Sequence, residues 1–330
     1  MHLLYFPLVS SSLDNIRELT VELTGALREL VLPHLGRAEA RTHAGTAVGG
    51  DVTFGIDEVA EEFLVEFLRE RGADVAVYSE DQGLIEFGEP EYVLIVDPID
   101  GTRPAAAGLE CAMVSIAVAE MKDAPTMGDV IFGSLQEIKG GDRFTASRGG
   151  GVEITSLGGE PREVRLSPNT DLSRLFWTIG FRGRPARALT ETLADLIDAS
   201  SVDGAVFDLG SATYSITRIL TGQLDAYIDI GPRMIDDVPA VKPLFEAVGK
   251  GAILNNSPHD LAAVGLICRE GGAVFGDGRG NPLEDRLLLG SDHSFQMSCV
   301  ASASEELNAK LIEAVDAGIR NLEAEFGKGG

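Results

Sequence analysis

The chain has little that would tie it to a membrane, a disulfide framework or a nucleic acid. No apolar run in its 330 residues approaches the ~20 needed to cross a bilayer. The opening MHLLYFPLVSSS is only mildly apolar, with no basic lead-in and no clear cleavage site, so no secretory signal is expected. Three cysteines, Cys111, Cys268 and Cys299, stand far apart without a C-x-x-C pair. That sparse, odd set argues against zinc or a disulfide scaffold and fits a reducing, cytoplasmic setting. Five histidines, none in an H-x-x-x-H arrangement, weaken the case for a transition metal. Positive charge is scarce, 27 Lys and Arg against 52 Asp and Glu, for a formal net charge of −25. A field of that sign repels nucleic acid and anionic membranes. It also repels phosphorylated small molecules, unless a bound divalent cation reverses the local sign. No basic patch for a nucleotide's second phosphate, no D-x-D-x-D-G calcium loop, no repeat and no low-complexity tract is evident.

What is present reads as an ordered chain with room for two domains of ordinary size. Apolar residues at helical spacing (Leu13, Ile16, Leu19, Leu23, Leu27, Leu30) predict a first helix that ends at Pro33 and Gly36. A Gly/Thr-rich loop, THAGTAVGGD, follows. A second helix opens at Asp57, with Val59, Ala60, Phe63, Leu64, Phe67 and Leu68 on one face and Gly72 as its stop. DVAVYSED and YVLIVDPIDG read as buried strands that end abruptly in acid, and CAMVSIAVAE as a further strand. Gly- and charge-rich turns between Lys139 and Arg162 predict hairpins and a boundary, dividing the chain into residues 1–165 and 166–330. The second half alternates helix and strand and closes on a helix over 303–326, a pattern that favours sheets flanked by helices.

The segment Asp97-Pro98-Ile99-Asp100-Gly101-Thr102 carries the most chemistry. A strand over Val93–Val96 places Asp97 at its end, Pro98 breaks the ladder, and a tight turn brings Asp100 to the same point. Two carboxylates held so close need a cation, or one of them keeps its proton. Oxygen ligands without sulfur or imidazole favour Mg²⁺ or Mn²⁺. On spacing alone, an ordinary turn with Asp as turn former accounts for the segment equally well.

The full string resembles the signature of the inositol monophosphatase superfamily, which includes fructose-1,6-bisphosphatases. VTFGIDEVAEE is similar to the family's early V-T-x-x-D segment and YSED to its G-E-E turn. HDLAAVGLICREGG is similar to the family's W-D-x-A-A…E-A-G-G helix. The GDVTFGIDEVAEE and YSEDQG forms look closest to archaeal and bacterial members acting on both inositol phosphate and fructose bisphosphate. The resemblance implies an α+β sugar-phosphatase fold, a layered αβαβα sandwich with the site between two halves, and commonly a homodimer. It implies a Mg²⁺-dependent phosphomonoesterase with two or three ions, acting on inositol-1-phosphate or a related polyol or sugar phosphate. Fructose-1,6-bisphosphatase is the alternative, and a catalytically retired sugar-phosphate-binding regulator is the rival from another class. It places metal ligands at Glu80, Asp97, the Ile99 carbonyl, Asp100 and Asp260. It makes Asp57 and Thr102 the pair that orients and deprotonates the attacking water, with Gly101 and Thr102 offering N–H groups to the phosphate. Gly210, Ser211 and Asp229 are the implied substrate contacts.

Three features depart from the family pattern. Arg103-Pro104 replace an Asn and an aromatic, and His259 replaces the Trp before the last ligand. The stretch 230–258 is longer than the usual link and supplies a competing acid pair, Asp236-Asp237. Arg103 reads equally as a phosphate contact or as a surface residue.

Overall fold

The computed structural model describes residues 12–41, 43–46 and 52–327. The apolar opening segment and most of the Gly/Thr-rich loop, including Asp51, lie outside the described residues. The first elements are α1 (Leu13–Val31), the hairpin of β1 (His43–Thr46) and β2 (Val52–Phe54), and α2 (Gly55–Arg71). An eight-stranded sheet follows, built from β3 (Ala76–Ser79), β4 (Gly83–Glu86), β5 (Tyr92–Asp100), β6 (Met113–Glu120), β7 (Val130–Glu137), β8 (Arg143–Ser147), β9 (Gly151–Thr155) and β10 (Pro161–Arg162). Its order is β10-β9-β8-β7-β6-β5-β3-β4, antiparallel throughout except for β3 beside β5. The short helix α3 (Thr102–Ala107) sits between β5 and β6.

A second sheet, of order β12-β11-β13-β15-β14, uses β11 (Phe176–Ile179), β12 (Ala205–Phe207), β13 (Ala226–Asp229), β14 (Val274–Gly276) and β15 (Cys299–Ser302). Its helices are α4 (Ala186–Ala199), α5 (Ala212–Leu220), α6 (Gly231–Asp237), α7 (Lys242–Val248), α8 (Pro258–Glu270) and α9 (Glu305–Phe326).

Three cores stack these elements into layers. Strand β5 shows how the two-residue period feeds them: Leu94 and Val96 pack with α1 and α2, while Val93 and Ile95 face the opposite core. That opposite core holds Ile216 of α5 and Ala263 and Ile267 of α8, and reaches Tyr227, Phe275 and Ala301 of the second sheet. Beyond the second sheet, Trp177, Ile228 and Val300 pack against Leu193 of α4 and Leu311 and Val315 of α9. The layers therefore run α, β, α, β, α, with α5 and α8 sealed between the two sheets. This is the α+β sandwich expected from the sequence. Alternating faces explain why β5 and β6 read as nearly unbroken apolar runs: both faces are covered.

Two local expectations change. Val59 is exposed at 41%, whereas Glu61, two residues on, is buried. Strand β5 does not stop at Val96 but continues through Pro98 to Asp100. The stretch 230–258 folds into α6 and α7, whose Met234 and Phe245 join the outer core. Strands β7, β11 and β15 carry no signal strong enough to be read in advance.

Helices α4 and α9 approach so closely that a Cβ on Gly318 would lie 1.7 Å from the Thr192 carbonyl oxygen. Gly318→Ala gains about 1 kcal/mol of helix propensity, yet overpacking of this kind costs about 1–3 kcal/mol or more. The clash is with backbone, so the cost wins. A lower urea midpoint at unchanged m-value is expected, and an unchanged or higher midpoint would contradict this packing.

Candidate active site

The site is assembled where β5 ends and the two central helices begin. In a regular strand, residues three apart point to opposite faces. In β5 the pairing with β6 slips between Asp97, opposite Ser115, and Asp100, opposite Met113, so three steps on one strand meet two on the other. That bulge turns both carboxylates to the same side. Pro98, lacking an N–H, sits inside the bulge where no ladder bond is required. The chain then turns at Gly101, whose φ of +92° and a notional Cβ only 2.5 Å from the Cys111 carbonyl oxygen admit glycine alone.

Asp260 arrives from the other half of the chain. It is the third residue of α8, and its Oδ2 accepts the Ser257 N–H at 2.6 Å, closing the helix N-terminus. One oxygen caps the helix while the carboxylate still reaches the cluster. Ligand oxygens of Asp97, Asp100 and Asp260 all lie within 4.8 Å of one another. Glu80, at the end of β3, lines the same cavity of about 320 Å³, as do Ile99, Gly101, Thr102 and Gly210. Asp236 and Asp237 are not part of the cluster; Asp237 pairs with Arg233 and Arg279.

The supporting hydrogen bonds are specific. Asp97 Oδ1 accepts the Ile99 N–H at 2.9 Å. Asp100 Oδ2 accepts the Ser211 hydroxyl at 2.8 Å, the Thr213 N–H at 2.6 Å and the Thr213 hydroxyl. Thr102 Oγ1 donates to the Ile99 carbonyl at 3.1 Å, and Asp57 Oδ2 accepts the Phe54 N–H at 2.9 Å. His259, 5% exposed, fills the place of the expected Trp, with Nε2 3.6 Å from Asp260 Oδ2 and its carbonyl accepting from Ser115.

Electrostatics make the cluster costly as it stands. Burial, then the charges of Glu80, Asp100 and Asp260, hold the Asp97 carboxyl well above the ordinary carboxylate range. Burial and Asp260 push Asp100 up to about 6, against the hydrogen bonds from Thr213 and Ser211. A hard divalent cation satisfies this donor set: all-oxygen, anionic, crowded and preformed.

The implied substrate contacts are placed differently from one another. Gly210, at φ +71°, lines the cavity beside Pro104, and a Cβ there would lie 2.9 Å from Pro104 Cγ. Ser211 caps α5 and spends its hydroxyl proton on Asp100. Asp229 is wholly buried and paired with Arg184, which donates to both of its oxygens. Burial pushes the Asp229 carboxyl up and Arg184 pulls it back. Sequence reading missed Arg184 and Thr213; a buried partner and a backbone-aligned hydroxyl leave no spacing pattern to find. Glu61 was missed too, and burial pushes its carboxyl up to about 7.

A sequence profile of the inositol monophosphatase family matches residues 12–320. The chain belongs to the inositol monophosphatase family. The fructose-1,6-bisphosphatase/inositol-1-monophosphatase of Methanothermobacter thermautotrophicus is 24% identical over 303 residues, 90% of this chain and 95% of the relative. A relative of the same description from Thermococcus kodakarensis is 25% identical, over 91% and 97%. A solved inositol monophosphatase–fructose 1,6-bisphosphatase structure shares the fold at a TM-score of 0.68 and 20% identity, covering 92% of this chain and 99% of its own. The protein is a phosphatase of this family. Among the described residues no helix is long and apolar enough to cross a membrane.

Two outcomes follow from the charges. Protons and a divalent cation compete for the same oxygens, so the affinity of the cluster for such a cation falls as pH drops below about 6, where Asp100 protonates. Without cation the sign reverses for the fold: carboxyls raised in the folded state ionise at a cost, so their contribution to stability is present at low pH and lost as pH rises through about 6. Asp97→Asn should flatten that dependence and abolish the rise in Tm expected on adding a divalent cation such as Mg²⁺; thermal melts across pH check both, and an undiminished shift would contradict the assignment. For the buried pair, Arg184→Ala leaves Asp229 without its counter-charge and lowers stability by about 3–5 kcal/mol in denaturant titration. A loss below 1 kcal/mol, the scale of an exposed pair, would contradict it.

Proposed function

We propose that the protein is a Mg²⁺-dependent phosphomonoester hydrolase acting on inositol-1-phosphate or a related polyol or sugar phosphate. The observation that carries this reading is the meeting of Asp97, Asp100 and Asp260 within 4.8 Å in a cavity that also holds Glu80 and Thr102. Those four acids and the Ile99 carbonyl would hold the cation, which supplies charge neutralisation to the reacting phosphoryl group when bound.

The rest falls to the chain itself. Thr102 Oγ1, which donates to the Ile99 carbonyl in this structure, would turn its proton to the Asp57 carboxylate, oriented by the Phe54 N–H, as it accepts the proton of the attacking water. The N–H groups of Gly101 and Thr102 face the phosphate oxygens at the mouth of α3. Gly210 leaves space for the sugar. Ser211 and Thr213 act on the reaction through Asp100, by fixing the lone pairs it presents. Relatives named for both inositol-1-monophosphatase and fructose-1,6-bisphosphatase support the substrate class.

Phosphate release from inositol-1-phosphate and from fructose 1,6-bisphosphate should require Mg²⁺ and stop on chelation. Thr102→Ala should lower kcat by about 10²–10⁴-fold, the range for a lost proton-transfer group, with far less change in KM. Binding of these esters without release from any of them would instead identify a retired sugar-phosphate-binding protein.

A further inference from the structure

Strand β11 runs parallel to both β12 and β13, and residues that follow β11 and β12 line the active cavity. In sheets with parallel strands, ligands bind beyond the carboxyl ends. Strand β12 ends at Phe207, and the next residue, Asp208, lines the active cavity. It also lines a smaller one that Asp100, Asp260 and Arg184 share.

The Asp208 carboxylate is anchored through one oxygen. Its Oδ1 accepts the Gly210 N–H at 3.1 Å, a bond from side chain to backbone two residues on that stiffens the turn. Gly210 sits against Pro104, where a side chain would collide, so the turn is braced by α3, the helix that follows Asp97 and Asp100. Ser211, next along, donates to Asp100 and opens α5. The loop is thus tied at two points to the elements that build the cluster. Asp208 itself is exposed, and its Oδ2 enters no hydrogen bond or ion pair among the described residues.

A polyol leaving group brings hydroxyls that need acceptors once water is displaced. An inventory of the side chains around the cavity leaves one. In the proposed hydrolase Glu80, Asp97, Asp100 and Asp260 serve the cation, and Thr102 serves the attacking water. Arg103 and Arg182 carry donors only. The remaining lining is glycine or apolar, and Leu109, Leu209 and Pro104 suit the C–H face of a ring. Asp229, the acid that the family resemblance offered for substrate hydroxyls, is buried against Arg184. Asp208 remains. A solvated turn former would account for its Oδ1 bond, but not for its place beside the cluster, where another carboxylate adds repulsion.

We propose that Asp208 is a specificity-determining residue, accepting hydrogen bonds from neighbouring hydroxyls of the leaving group through Oδ2 and the remaining lone pair of Oδ1. This rests on the phosphatase reading and narrows it: the preferred substrate is a monophosphate whose leaving group carries vicinal hydroxyls and no second charge. A carboxylate in that place takes hydroxyl protons in charge-assisted bonds and repels a further anionic group.

The test is the ratio of kcat/KM for inositol-1-phosphate to that for phenyl phosphate, whose leaving group has no further hydroxyl, on the Mg²⁺-loaded enzyme. Comparing each variant's ratio with that of the wild type cancels the different leaving abilities of the two alcohols. Asp208→Asn keeps an oxygen for the Gly210 N–H and replaces Oδ2 by a donor, so the turn survives and the open acceptor is lost. Charge-assisted hydrogen bonds correspond to about 10–100-fold, so the ratio should fall by about tenfold or more in Asp208→Asn and at least as far in Asp208→Ala. An unchanged ratio, equal losses on both esters, or cleavage of phenyl phosphate alone would overturn the role while leaving the hydrolase intact. If neither ester is cleaved, the hydrolase reading fails separately, and calorimetry supplies the comparison, as it does if only inositol-1-phosphate is cleaved. Inositol-1-phosphate should then bind at least about tenfold tighter than phenyl phosphate, an advantage lost in Asp208→Asn. Equal affinities, or an advantage that the variant keeps, would overturn the proposal.

Discussion

Mutual repulsion among buried carboxylates is the constraint around which this structure is built. Asp97 and Asp100 are 2% and 5% exposed, and with Asp260 they crowd one point. In water such groups disperse; here the β5 bulge, the Gly101 turn and the Ser211 and Thr213 bonds to Asp100 prevent it. The energetic strain shows as carboxyls held above their ordinary range. A cation removes it, and a site already arranged loses little entropy in binding one.

The layered fold explains how residues from both halves reach that point. Helices α5 and α8 lie between the two sheets, and each presents its N-terminus to the cluster: Ser211 and Thr213 at α5, Asp260 at α8. Aligned peptide dipoles place partial positive charge at those ends, which favours nearby carboxylates by tenths of a kcal/mol up to about 2 kcal/mol. The central layer is thus both hydrophobic core and electrostatic support. Shifting either helix would disturb packing and ligand geometry together, which couples stability to the site.

Much of the frame was legible because period and punctuation agree locally. The repeat from Ile16 to Leu27 gave α1, and the stop at Gly72 closed α2 with the left-handed φ of +58° that glycine tolerates. Asp97, Asp100 and Asp260 were legible as candidates, though spacing alone left Asp236 and Asp237 in competition with Asp260. The helix that directly follows Asp260 favoured it over them, and in the fold α6 and α7 pack into the outer core while α8 carries Asp260 inward. A bulge that keeps Pro98 within a strand has no sequence mark of its own. The Arg184–Asp229 pair is a long-range fact that no local pattern encodes.

Everything chemical in this account depends on Asp97, Asp100 and Asp260 sharing a divalent cation. Crystals grown with Mn²⁺, measured for anomalous scattering at the manganese edge, test that directly. The account predicts a strong anomalous peak within coordination distance, about 2.0–2.3 Å, of oxygens from all three residues. Fully occupied Mn²⁺ elsewhere in the molecule, with no peak among these carboxylates, would contradict it.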